Sequence, residues 1–95
     1  MRIRWTAPAL RDLEAIGDTI ARDKPAAAAR LVNRILDCSD ALVTHPHLGR
    51  AGRVSGTREF VIPDTPFIVP YRGRGDEIEL LAVFHSARQW PESFN

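Results

Sequence analysis

At 95 residues the chain is long enough for one modest hydrophobic core and is expected to form one domain spanning 1–95. Apolar residues at 44% and charged residues at 26% exclude wholesale disorder, and a net charge of +1 gives no argument from composition for nucleic-acid binding. The lone Cys38 excludes an intrachain disulfide, and no stretch reads as a signal peptide or a membrane span, so a cytoplasmic protein is expected.

Met1 to Trp5 alternates, with Ile3 and Trp5 on one side and Arg2 and Arg4 on the other, which predicts a brief strand with one wet face. Thr6 suits a helix N-cap and Pro8 a first turn, where its missing N–H is not needed. Leu10, Leu13, Ile16 and Ile20 then recur at helical steps, predicting an amphipathic helix to about Arg22 with Asp12, Glu14 and Asp18 outside. Asp23-Lys24-Pro25 connects to a second helix whose seam is Ala28, Leu31, Ile35, Cys38 and Leu42. The connection is short, so the two helices form an antiparallel hairpin. Leu36 and Val43 fall off the seam and are expected to be half exposed. Cys38, on the seam, reads as a small buried hydrophobe.

His45-Pro46 ends the second helix, because the residue before proline is pushed out of the α region. His47 to Gly56 reads as a loop carrying Arg50 and Arg53. Strands are expected at Arg58–Ile62 and Phe67–Tyr71, joined by the turn Pro63-Asp64-Thr65-Pro66. Pro70 cannot donate to a ladder, which predicts a sheet edge or a bulge. After a turn at Gly73–Asp76, Glu77–His85 is the longest strand, apolar on both faces and therefore central. Ser86 to Asn95 is expected to be irregular or a short turn of helix. The order β-α-α-β-β-β defines an α+β fold of two layers, a helical hairpin on a mainly antiparallel sheet.

No metal site or cofactor site is expected: His45 and His47 flank a proline, and His85 has no ligand at suitable spacing. Gly73-Arg74-Gly75 lacks a following helix and reads as a turn, not a phosphate cradle, and Ser86 beside His85 is no catalytic pair. What remains is a basic and aromatic group in the second half: Arg50, Arg53, Arg58, Arg72, Arg74 and Arg88, with Tyr71, His85 and Trp90. Only one cation in the chain, Lys24, is a lysine, a bias that suits bidentate phosphate recognition and equally follows from a GC-rich genome. Two readings stand at this point. A histidine base with arginines on a phosphate can cleave RNA. Alternatively the arginines pair on the surface with Glu59, Asp76, Glu77, Glu79 and Glu92.

The chain resembles the RelE/ParE superfamily of type II toxin–antitoxin toxins, most closely the ParE-like branch. The resemblance runs from Trp5-Thr6, Asp12-Leu13 and Ile16 through Pro25, Pro46 and Gly49-Arg50. It continues with Gly56-Thr57-Arg58-Glu59, Ile68-Val69-Pro70-Tyr71-Arg72, Val83-Phe84-His85, Ala87-Arg88 and Trp90-Pro91. It implies a growth-inhibiting toxin in a hetero-oligomer with an antitoxin from the same operon, for which Leu36 and Val43 are docking candidates. The ParE-like branch implies binding to DNA gyrase, with Arg53, Arg58, Tyr71, Arg72 and Trp90 as further partner-binding candidates. The RelE-like branch implies a ribosome-dependent mRNA endoribonuclease, with His85 as base and Arg58 and Arg88 on the phosphate. Phe67 stands where that branch carries a middle-strand arginine, which favours gyrase. A non-toxic, partner-binding homologue is the third alternative.

Overall fold

The computed structural model describes residues 1–94. Its elements in chain order are β1 (Arg2–Trp5), α1 (Ala7–Ala21), α2 (Pro25–Thr44), β2 (Arg50–Ala51), β3 (Arg58–Val61), β4 (Phe67–Arg74), β5 (Glu77–Leu80) and β6 (Phe84–His85). The expected order is present with two additions, the two-residue strands β2 and β6. The residues after β6 are irregular, the first of the two expectations, with one non-helical turn closed by the Arg88 N–H on the His85 carbonyl. Asn95, the last residue of that expected tail, lies outside the described residues.

Thr6 starts α1 and also fixes it to the sheet. Its hydroxyl accepts from the Ala9 N–H at 3.4 Å and donates to the Leu80 carbonyl at 2.7 Å. This cap sets the helix phase, so Ala9 and Leu13 are buried and Ile16 packs beside them. Leu10, expected in the apolar stripe, is instead 43% exposed, because Ala9 takes the position against the sheet. α2 begins at Pro25 without a side-chain cap from Lys24 and buries Ala28, Ile35, Ser39 and Leu42. The two helices approach closely at Gly17, where an added Cβ would stand 3.1 Å from Val32 Cγ2.

The sheet runs β1-β5-β4-β3-β2, with β1 parallel to β5 and every other pair antiparallel. Ile3, Trp5, Val69, Tyr71, Ile78 and Leu80 contribute to the core beneath the helices. Alternation therefore turns Arg2, Arg4, Glu59, Arg72, Glu77 and Glu79 onto the opposite face, which no helix covers. Arg34 of α2 braces the β3–β4 turn, donating to the Pro63 carbonyl at 2.9 Å and to Asp64 at 3.0 Å. Asp64 is held there in the left-handed region at φ 62°.

Pro70 explains why the expected strand Glu77–His85 divides. β4 is central and not an edge, so of the two expectations for Pro70 the bulge is the one found. The Leu81 N–H donates to the Pro70 carbonyl at 2.9 Å, but proline has no N–H to return, and β5 ends at Leu80. Pairing resumes at Ile68 with Phe84 after Tyr71 with Leu80. Three steps on β4 thus oppose four on its partner, one residue too many. The carboxylate of Asp12 accepts from the Val83 N–H within this bulge at 3.0 Å. Asp12 was expected on the outer side of α1; it is half-buried and fixes the helix to the irregular stretch between β5 and β6.

Candidate functional site

The open face of the sheet is organised by two buried carboxylates. Glu79, 3% exposed, accepts from Arg4 at 2.9 Å and from Arg72 at 3.0 Å, with Arg74 at 3.5 Å. Glu59, 1% exposed, accepts from Arg50 at 3.1 Å and from the Arg53 N–H at 2.7 Å, with the Arg53 guanidinium at 3.7 Å. The hydrogen bond from Arg72 outweighs the opposing effect of burial and, with the charges of Arg74 and Arg4, holds the Glu79 carboxyl below its ordinary value. Pairing of arginines with Glu59, Asp76, Glu77, Glu79 and Glu92 was one of the two sequence readings; the first four pair, and Glu92 is in no ion pair among the described residues. Two of the four carboxylates are buried and so do more than an exposed ion pair.

Between the Glu79 cluster, the start of α1 and the C-terminal tail lies a cavity of about 550 Å³. Its ionic lining is Arg4, Arg72, Arg74, Arg88, Glu79 and Asp12. The tail closes one side. Phe84 lies edge-to-face with Trp90 at 5.0 Å and stacks with Phe94 at 6.1 Å. Arg53 sits over the Trp90 ring at 4.3 Å and Arg88 over Phe84 at 4.3 Å. The Trp90 indole N–H is buried without a partner among the described residues.

On the helix side of the sheet, Tyr71 is 1% exposed and holds the loop that follows α2. Its hydroxyl donates to the Pro46 carbonyl at 2.8 Å and accepts from the Gly49 N–H at 2.9 Å. Glycine is required at 49, because an added Cβ would stand 2.7 Å from the Tyr71 ring and 2.8 Å from the Glu59 carbonyl. Arg58 donates to the Gly49 carbonyl at 2.8 Å. Burial pushes the Tyr71 hydroxyl above its ordinary value, against the Gly49 hydrogen bond and the Arg58 charge. Tyr71 was expected among the partner-binding residues, but its hydroxyl is occupied within the chain and its ring is in the core.

Of the three nuclease candidates, His85 and Arg88 share one turn and Arg58 lies apart from them. Arg58 stands opposite Tyr71 and His85 opposite Phe67, four residues along β4, a separation of about 13 Å at about 3.3 Å per residue. They also flank β4 on different sides, Arg58 on β3 and His85 on β6. Arg88 is on the open face. His85 is exposed, its ring edge-to-face with Phe67 at 5.7 Å, and its Nδ1 accepts from the Ala87 N–H at 3.1 Å. Phe67 itself packs toward Ile16 and Ile20 of α1. The middle strand does carry arginines on the open face, Arg72 and Arg74, five and seven positions beyond Phe67.

Of the remaining partner-binding candidates, Arg53 and Trp90 are brought together, and Arg72 is tied to Glu79. Leu36 and Val43 are half-buried on α2, with Leu36 packed against the core. Arg4, Glu79 and Asp12 were absent from the sequence-derived candidates. The signal for Arg4 and Glu79 was present in the alternation of their strands, which places both on the wet face; Asp12 had none, since its role depends on the bulge. Among the described residues no group of three His, Cys, Asp or Glu side chains could hold a metal, and no helix is long and apolar enough to cross a membrane.

A fold of this kind, with a helical hairpin on one face of a mixed sheet and an arginine-lined face opposite, matches a known class. The family model for the ParE toxin of the type II toxin–antitoxin system parDE matches residues 3–90. The candidate toxin Y4kP of Sinorhizobium fredii is 52% identical over 91 residues, covering 96% of this chain and 94% of that one. Toxin RelE2 of Caulobacter vibrioides is 31% identical over 87 residues, covering 92% and 97%. A chain of the solved chromosomal ParDE toxin–antitoxin system of P. aeruginosa superposes with a TM-score of 0.83 at 32% identity, covering 90% and 95%. The chain belongs to the ParE toxin family of type II toxin–antitoxin systems.

Proposed function

We propose that this ParE-family toxin is neutralised by an antitoxin encoded beside it and arrests growth by binding DNA gyrase. The observation that supports binding over bond cleavage is the separation of Arg58 from the turn that carries His85 and Arg88, set against the stacking of Arg53 on Trp90. Arg53 and Trp90 are the side chains through which the target is gripped. Leu36 and Val43 on α2 are where the antitoxin docks. Induction of the chain alone arrests growth, and co-expression with the neighbouring gene relieves the arrest. Purified protein then abolishes supercoiling by gyrase, and Trp90→Ala weakens that effect at least tenfold while the protein stays folded. Induction without any growth defect, despite tight antitoxin binding, would instead identify a non-toxic homologue.

The RelE-like reading retains one observation in its favour. Phe67 faces the helices, so it says nothing about the open face, where Arg72 and Arg74 of the same strand line the cavity. That reading requires cleaved mRNA on induction, lost in Arg88→Ala with the fold intact.

A further inference from the structure

We propose that the open-face cavity binds a terminal phosphate monoester, carried either by a free 5′-mononucleotide or by the 5′-phosphorylated end of a strand. Four guanidinium groups, Arg4, Arg72, Arg74 and Arg88, face two carboxylates, Glu79 and Asp12, which leaves a formal surplus of two positive charges. A phosphate monoester carries about −1.5 to −2 at neutral pH and matches that surplus. An internal phosphodiester or a single carboxylate carries about −1 and leaves the cavity cationic.

The donors are free to act. Each guanidinium has five N–H groups; Glu79 offers only two oxygens to Arg4, Arg72 and Arg74 together, and Glu77 reaches Arg4 only at 4.0 Å. Arg88 is in no ion pair among the described residues and rests on the Phe84 ring. Asp12 has one oxygen turned to the Val83 N–H. The first turn of α1, at Ala7 and Pro8, opens on the same cavity and adds the positive end of a helix dipole. The volume of about 550 Å³ falls within the usual range for a small-molecule site. This site does not depend on whether gyrase is the target.

Calorimetric titration of the full chain decides the matter, with adenosine 5′-monophosphate, adenosine, and tetrathymidylate with and without a 5′-phosphate as probes. Both phosphorylated probes bind saturably, and each unphosphorylated counterpart binds at least tenfold more weakly. Affinity falls as pH drops below about 6, where the monoester dianion takes up a proton and becomes a monoanion. The double variant Arg74→Gln/Arg88→Gln loses at least tenfold in affinity. Arg30→Gln, on the exposed side of α2, removes the same kind of charge and leaves affinity unchanged. Tighter binding of the phosphorylated tetramer assigns the strand end as source; equal or tighter binding of the mononucleotide assigns the free nucleotide. Equal affinity with and without the phosphate, or wild-type affinity in the double variant, overturns the proposal. So does the absence of binding by both phosphorylated probes at about 10 mM, a concentration corresponding to under about 3 kcal/mol of affinity. Should the double variant unfold, Arg88→Gln, which breaks no ion pair, reads the same outcome.

Discussion

Replacing Tyr71 by phenylalanine removes one oxygen and leaves the ring in the core. Two hydrogen bonds disappear with it, to the Pro46 carbonyl at 2.8 Å and from the Gly49 N–H at 2.9 Å. Gly49 is buried, so its N–H is left without a partner, at a cost of about 1–3 kcal/mol. Pro46 is half-buried and water can reach its carbonyl, which adds at most about 1 kcal/mol. The expected total is about 1–4 kcal/mol, a fall in Tm of roughly 4–32 °C for a chain of this size. The Gly49 amide should also lose protection against hydrogen exchange ahead of the core strands. The wild type has a matching alkaline signature. The folded Tyr71 hydroxyl ionises above the unfolded value of 10.0, so its contribution is complete below pH 10 and is lost as pH rises beyond it. Tyr71→Phe lacks that component. A Tm within about 2 °C of wild type, with Gly49 exchange unchanged, would refute the role given to the hydroxyl.

Three further outcomes are expected. Thr6→Ala loses both the helix cap and the bond to Leu80 and destabilises by about 1–2 kcal/mol in urea denaturation. Asp12→Ala leaves the Val83 N–H in the bulge unpaired and costs about 1–2 kcal/mol, whereas Asp12→Asn, which keeps an acceptor, costs less than half as much in the same measurement. Glu79 is held below its ordinary 4.5, so the stability it contributes is present above that value and is lost as pH falls below it; acid denaturation of Glu79→Gln is correspondingly shallower there than that of wild type.

The helical layer was legible because its signals are local. Thr6 and Pro8 mark the start of α1, and the seam from Ala28 to Leu42 marks the buried side of α2. The one-position error at Leu10 arose because an alanine, Ala9, fits tighter against the sheet than a leucine, which apolar counting cannot rank. Pro70 announced an edge or a bulge, but the consequence of the bulge fell on another segment, dividing Glu77–His85 and freeing the backbone N–H that Asp12 accepts from. Glu59 and Glu79 read as wet-face residues by alternation, yet arginines from β1, β2, β4 and the loop after β2 cover them. Burial of a carboxylate by residues distant in sequence leaves no local trace. The same holds for Arg58, which the strand register keeps away from His85 although both fall in the second half of the chain.

The central claim is that this toxin acts by gripping gyrase. Supercoiling of relaxed plasmid by purified gyrase, titrated with the full chain and then with its antitoxin, tests it most directly. The expected result is complete loss of supercoiling at a modest molar excess of the chain and its recovery when antitoxin is added. Undiminished supercoiling at large excess, from protein that arrests growth when induced, would contradict it.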